Sequence, residues 1–131
     1  MVSNNLVMAF DFGLRKIGIA VGQPITATAT PITVITATDG IPDWRVIEQL
    51  IDEWQPVLLV VGLPLNMDGS ESTMSQLARK FARKLNGRFN IAFEMMDERL
   101  TSFEARPESK DASRPFDHLS AQLILESYFR K

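Results

Sequence analysis

The apolar run Val7-Met8-Ala9-Phe10 ends in Asp11, and Phe12-Gly13 follow directly. A short apolar run bounded by turn formers reads as a buried strand, so Asp11 is carried to a poorly solvated strand end. Burying a carboxylate costs several kcal/mol unless something pairs with it, so such an acid needs a partner. Only Leu14 and Arg15 separate this stretch from Lys16-Ile17-Gly18-Ile19-Ala20-Val21, a second strand, which predicts a hairpin with an acid on its first arm. The expectation is that Asp11 is a metal ligand, joined in space by acids from the far end of the chain.

Composition narrows what that metal can be. There is no cysteine, which removes disulfides, thiol nucleophiles and thiolate sites together. The single histidine, His118, excludes a multi-histidine zinc centre and disfavours a serine triad. Oxygen ligands remain, and they point to magnesium or manganese. No stretch approaches the roughly 18 apolar residues of a membrane span, and no basic leader precedes an apolar core, so a cytoplasmic protein is expected. The net charge of −2 hides a segregation. Between Ser72 and Phe93 there is no acid, while Arg79, Lys80, Arg83, Lys84 and Arg88 are all basic. A phosphate backbone responds to such a local patch more than to net charge.

With 131 residues the chain predicts one domain over 1–131. Strands are expected at Leu6 to Phe12, Lys16 to Val21 and Ala27 to Ile35, the third at an edge or starting after Pro31. Residues 39–42 read as a loop, and Asp43 as the N-cap of a helix with Trp44, Ile47, Leu50, Ile51 and Trp54 on its apolar stripe. Pro56 ends it. Val57 to Val61 is a strand covered on both faces, closed by Gly62-Leu63-Pro64. A second helix carries Met74, Leu77, Ala78, Phe81, Ala82 and Leu85 inward and stops at Asn86-Gly87. The fifth strand runs from Phe89 to Met96 and ends in Asp97-Glu98-Arg99; Thr101 with Glu104 is a capping-box pattern, and the last helix is Asp117 to Phe129. The order βββ-α-β-α-β-α predicts an α/β fold of ribonuclease H-like type, a mixed five-stranded sheet with helices on both faces.

In that order Asp11 lies on a central strand, Asp97 and Glu98 at the end of another, and Asp117 at the start of the last helix. Clustered carboxylates repel one another, and divalent cations relieve the repulsion. The catalytic set expected from this is Asp11, Asp97, Glu98 and Asp117, with Asp11, Asp97 and Asp117 holding metal. Two cations roughly 4 Å apart can activate water and stabilise a leaving oxygen, which makes phosphodiester cleavage the expected reaction. Arg15, Lys16 and Arg99 stand beside these acids and, with Arg79, Lys80, Arg83 and Lys84, are the candidate nucleic-acid contacts. The loop from Gly62 to Ser72 presents a helix N-terminus that favours an anion, though it lacks the Gly-Lys-Ser/Thr ending of a P-loop.

Four stretches carry a resemblance: Ala9-Phe10-Asp11-Phe12-Gly13 with Lys16 to Val21, Val60-Val61-Gly62-Leu63-Pro64-Leu65-Asn66-Met67-Asp68-Gly69, Asp97-Glu98-Arg99-Leu100-Thr101-Ser102, and Asp117 with Ala121, Ile124 and Leu125. Over nearly its whole length the chain resembles the YqgF/RuvX family of Holliday-junction-resolvase-like proteins. The resemblance implies a ribonuclease H-like nuclease that matures the 5′ end of pre-16S rRNA in the bacterial cytoplasm, in contact with RNA and ribosomal particles. It also implies that Asp11, Asp97 or Glu98, and Asp117 bind the metal. Family members usually have a longer segment before the final Asp, where this chain has only 106–116.

Two other classes compete with an RNA endonuclease. A junction resolvase would share the fold and the metals, act on structured DNA and work as a dimer. A ribosome-assembly factor would bind nucleic acid through the basic helix with little catalysis. An actin-like kinase shares the Asp-x-Gly strand but needs two such domains around its nucleotide.

Overall fold

Strand β1 (Val7–Asp11) pairs antiparallel with β2 (Lys16–Gln23), the hairpin expected around Asp11, with Asp11 opposite Gly18. The structure is a computed structural model that describes residues 5–99 and 117–131, with side chains in the second segment from Ser120 onward. Beyond β2 lie β3 (Thr28–Thr38) and the two-residue β4 (Ile41–Pro42), both antiparallel to their neighbours. Helix α1 (Trp44–Trp54) then leads to β5 (Leu58–Leu63), parallel to β1. Helix α2 (Thr73–Phe89) leads to β6 (Phe93–Asp97), parallel to β5, and α3 (Asp117–Arg130) comes last. The strand order is β4-β3-β2-β1-β5-β6.

Side chains alternate across a strand, so β1 and β5 feed two cores. Met8, Phe10, Leu59 and Val61 pack with Ile47 and Ile51 of α1 and with Ala78, Phe81, Ala82 and Leu85 of α2. Val7, Ala9 and Val60 pack on the other face with Met96 and with Ile124 and Leu125 of α3. The helices therefore cover both faces, as the element order predicts.

The sheet has six strands rather than the expected five. The loop expected at 39–42 is a two-residue hairpin in which Asp39 and Gly40 both have positive φ, 54° and 82°, and Ala37-Thr38 pairs with Ile41-Pro42. Asp-Gly is a favoured pair for the type I′ turn that needs this geometry. Pro31 lies inside β3, not before it. The register slips between Ile19 and Ala20 opposite it, a bulge that accommodates a residue with no N–H to donate. Helix α2 continues through Asn86-Gly87 to a left-handed cap at Asn90, so β6 starts four residues later than expected, at Phe93. The caps of α1 follow the sequence: Asp43 accepts from the Arg45 N–H, and Gln55 closes the helix in the left-handed region before Pro56. The capping pattern at Thr101 and Glu104 and the segment 106–116 lie outside the described residues. Among the described residues no helix is long and apolar enough to cross a membrane.

Phe81 ties α2 to the sheet. Its ring lies 5.7 Å from Phe10, 5.1 Å from Phe12 and 5.8 Å from Trp44, centroid to centroid. Phe81→Ala is expected to destabilise the fold by about 3–5 kcal/mol, read from denaturant midpoints at unchanged slope. A loss below about 1 kcal/mol would mean that this cluster does not anchor the helix.

Candidate active site

Because Phe10 pairs with Val61, Asp11 lies level with Gly62 at the carboxyl ends of two adjacent parallel strands. Alternation turns Asp11 to the face that holds Val7 and Ala9, the face covered by α3. Glu98, the first residue after β6, joins it there. Its carboxyl group is hydrogen-bonded to that of Asp11. A Cβ on Gly62 would overlap the Glu98 Oε2 and stand 2.6 Å from Ile124 Cδ1, so the bare glycine leaves the space in which the Glu98 carboxyl lies.

Two carboxyl groups in hydrogen-bond contact must hold a proton between them. Burial, then the charge of Asp11, the hydrogen bond to it and the charge of Asp97 push the pKa of Glu98 up to about 8. At neutral pH the pair therefore keeps a proton that a solvated glutamate would have lost.

Asp97 has a different environment. It accepts from the Arg99 backbone N–H at 2.9 Å and from the Arg99 guanidinium through Nε and Nη2, the latter at 2.7 Å. Those hydrogen bonds hold its carboxyl below the usual range. Met96 packs in the α3-side core, so alternation turns Asp97 to the opposite face from Asp11. Arg99 also donates from Nη1 to the Met67 carbonyl at 3.3 Å, strapping the β5–α2 loop to the end of β6. The adjacent acids thus divide: Glu98 meets Asp11, and Asp97 orients an arginine.

Helix α3 begins at Asp117. Ile124 lies against Gly62, and Tyr128, one turn on, donates to Glu94 at 3.0 Å, two strand residues back from Met96. The helix thus runs opposite to β5 and β6, and its first turn extends beyond their carboxyl ends, the end that carries Asp11 and Glu98. At 1.5 Å per residue Asp117 is roughly 10 Å along the axis from Ile124. The side chain of Asp117 lies outside the described residues, and among the described residues no three potential metal ligands come together.

The basic residues of α2 do not share the sheet face of this pair. Helix α2 lies on the opposite sheet face. There Lys80, Arg83 and Lys84 are exposed, whereas Arg79 is paired with Glu71 at 2.6 Å. That acid lies just outside the acid-free stretch, so the sequence pattern conceals the pairing. Arg88 stacks over Trp44 at 4.4 Å, Arg15 is exposed in the β1–β2 turn, and Lys16 is exposed at the start of β2. At the N-terminus of α2, Ser72 and Ser75 form a capping box and the Ser75 hydroxyl donates to the Pro64 carbonyl, so this end uses its own side chains where the sequence predicts an anion. In the sequence Gly62 reads only as a strand terminator. Its space-making role depends on Glu98 and Ile124, which adjoin it only after folding.

A family model described as "RuvX: Holliday junction resolvase" matches residues 5–131. The chain is 55% identical to a protein of Haemophilus ducreyi over 94% of each chain, and 50% identical to one of Pectobacterium atrosepticum over 98% of this chain and 97% of that one. Both carry the name "Putative pre-16S rRNA nuclease". Among solved structures it resembles RuvC of T. thermophilus in complex with Holliday junction substrate, with a TM-score of 0.63 at 16% identity over 95% of this chain and 93% of that one. It also resembles the yeast mitochondrial Holliday junction resolvase Ydc2, with a TM-score of 0.54 at 12% identity over 99% and 80%. These structural likenesses show a common ribonuclease H-like fold.

Because the folded pKa of Glu98 lies above its ordinary value of 4.5, the folded state holds more protons than the unfolded one between there and about 8. That stabilising contribution is complete below pH 4.5 and is lost as the pH rises through 8. Without divalent ions, the melting temperature is expected to fall across this window, and Glu98→Gln should flatten the fall. An unchanged slope in the variant would show that Glu98 ionises normally. Gly62→Ala should displace the Glu98 carboxyl, a movable side-chain end, and so flatten the same fall. A fall as steep as that of the native chain would contradict this.

Proposed function

The chain belongs to the family described as RuvX, Holliday junction resolvase, and from that membership and the Asp11–Glu98 pair we propose a metal-dependent endonuclease that hydrolyses phosphodiester bonds in structured RNA. Its proposed substrate is the 5′ end of pre-16S rRNA, which sets its work in the cytoplasm on ribosomal precursors. The names of its relatives support this substrate, and the two cores sharing one sheet support a single nuclease domain over 1–131.

The meeting of the Asp11 and Glu98 carboxyl groups beside Gly62, at the carboxyl ends of adjacent strands, is the observation that carries the proposal. A site that traps a proton between two carboxyl groups is one where a cation can replace that proton, with oxygen ligands suited to magnesium or manganese. Asp11 and Glu98 would hold the ion, with Asp117 as a further ligand from the first turn of α3. When bound, such an ion neutralises charge on the phosphodiester and acidifies water for in-line attack. Ile124 lies beside Gly62 and the Glu98 carboxyl on the α3 side. Asp97 is assigned a positioning role: it orients Arg99, and Arg99 fixes the loop beside the site through the Met67 carbonyl.

The test is incubation with structured RNA, ribosomal precursor and a four-way DNA junction, each with and without manganese. Asp11→Asn and Glu98→Gln should abolish metal-dependent cleavage while leaving the circular dichroism spectrum intact. Asp97→Asn should retain manganese-induced stabilisation, which Glu98→Gln should lose. Cleavage by the Asp11 variant at the native rate would remove the assignment, and cleavage of the junction alone would change the substrate to DNA.

A further inference from the structure

On the sheet face away from Asp11, a cleft of about 110 Å³ opens between α2, the start of α1 and the β3–β4 turn. Phe12, Ile41 and Leu77 supply apolar lining, Lys80 and Lys84 stand one helical turn apart along it, and Asp39 lines it from the turn. The Trp44 ring is engaged by Phe81 and Arg88, and the Phe12 ring is buried against Phe81, so the apolar surface open to a ligand is that of Ile41 and Leu77. Ile41 is 57% exposed.

This combination matches the chemistry of a nucleotide. Apolar side chains accept the face of a base, ammonium groups accept phosphate, and a carboxylate accepts the N–H donors on a base edge. In a duplex the base faces are hidden in the stack, so the occupant must be unpaired. Phe12 follows Asp11 directly in the chain, about 3.8 Å away at Cα, and the two side chains lie on opposite faces. A strand crossing the carboxyl edge of β1 would thus meet the carboxyl pair on one side and the cleft on the other.

We propose that this cleft holds an unpaired nucleotide of the substrate strand, flanking the cleaved bond, with its base on Ile41 and Leu77 and its phosphates on Lys80 and Lys84. The inference rests on the reading that the substrate is a nucleic acid. It is tested on the full chain in chelator, where binding is measured without cleavage. The probe is a labelled single-stranded RNA of about 12 nucleotides, compared by anisotropy with the same sequence as a duplex.

The single strand should bind more tightly. Ile41→Ser should weaken it about tenfold without altering the salt dependence. Lys80→Ala with Lys84→Ala should weaken it and lower the slope of log K against log salt by roughly 0.7 for each phosphate no longer neutralised. Native affinity in either variant, or equal affinity for the duplex, would overturn the proposal. In particular, weaker binding with the lysine pair but not with Ile41→Ser would mean that phosphates are held and no base enters. Metal-dependent cleavage by the native chain is scored separately, so a failed cleft and a failed nuclease assignment give different results.

Discussion

The meeting of the Asp11 and Glu98 carboxyl groups is the interaction from which the arrangement of the site follows. A strand-end carboxylate beside a buried core is unstable alone, and a second acid worsens the repulsion unless a proton or a cation lies between them. The fold supplies the conditions for that sharing. β5 places Gly62 next to Asp11, the missing side chain leaves room for Glu98, and Ile124 of α3 lies beside Gly62 and the Glu98 carboxyl. The same burial raises the pKa of Glu98.

Strand alternation divides the labour between the two faces. On the α3 face are Asp11, Glu98 and the beginning of the helix that carries Asp117. On the other face are the aromatic cluster around Phe81, the exposed lysines of α2 and the cleft lined by Phe12 and Ile41. Asp97 shows how sharply the pleat decides function. One residue from Glu98, it is turned away from Asp11 and bonded to Arg99, so two adjacent acids acquire opposite ionisation behaviour.

Much of this is legible in the residues. The hairpin at Asp11, the N-cap of α1 and the apolar stripe of α2 follow from local pattern and appear as expected, whereas β5 runs Leu58–Leu63, leaving Val57 exposed and continuing through the Gly62-Leu63 that reads as its end. The sixth strand has a signal in Asp39-Gly40, masked by a partner strand only two residues long. The end of α2 is misplaced by sequence reading because Asn86-Gly87 resembles a helix stop, while the left-handed cap is formed by Asn90. The distinction between Asp97 and Glu98 cannot be read from spacing. It depends on where β6 ends and on the space at Gly62, both properties of the packed sheet. The pairing of Arg79 with Glu71 escapes the sequence for a related reason, since the two are joined across a cap rather than along a helix face.

Displacement of the shared proton is tested most directly by counting protons released as manganese binds, measured calorimetrically near pH 6.5 in buffers of different ionisation enthalpy. If a cation takes the proton's place, the native chain should release about one proton per ion. Binding with no proton release by the native chain would contradict it.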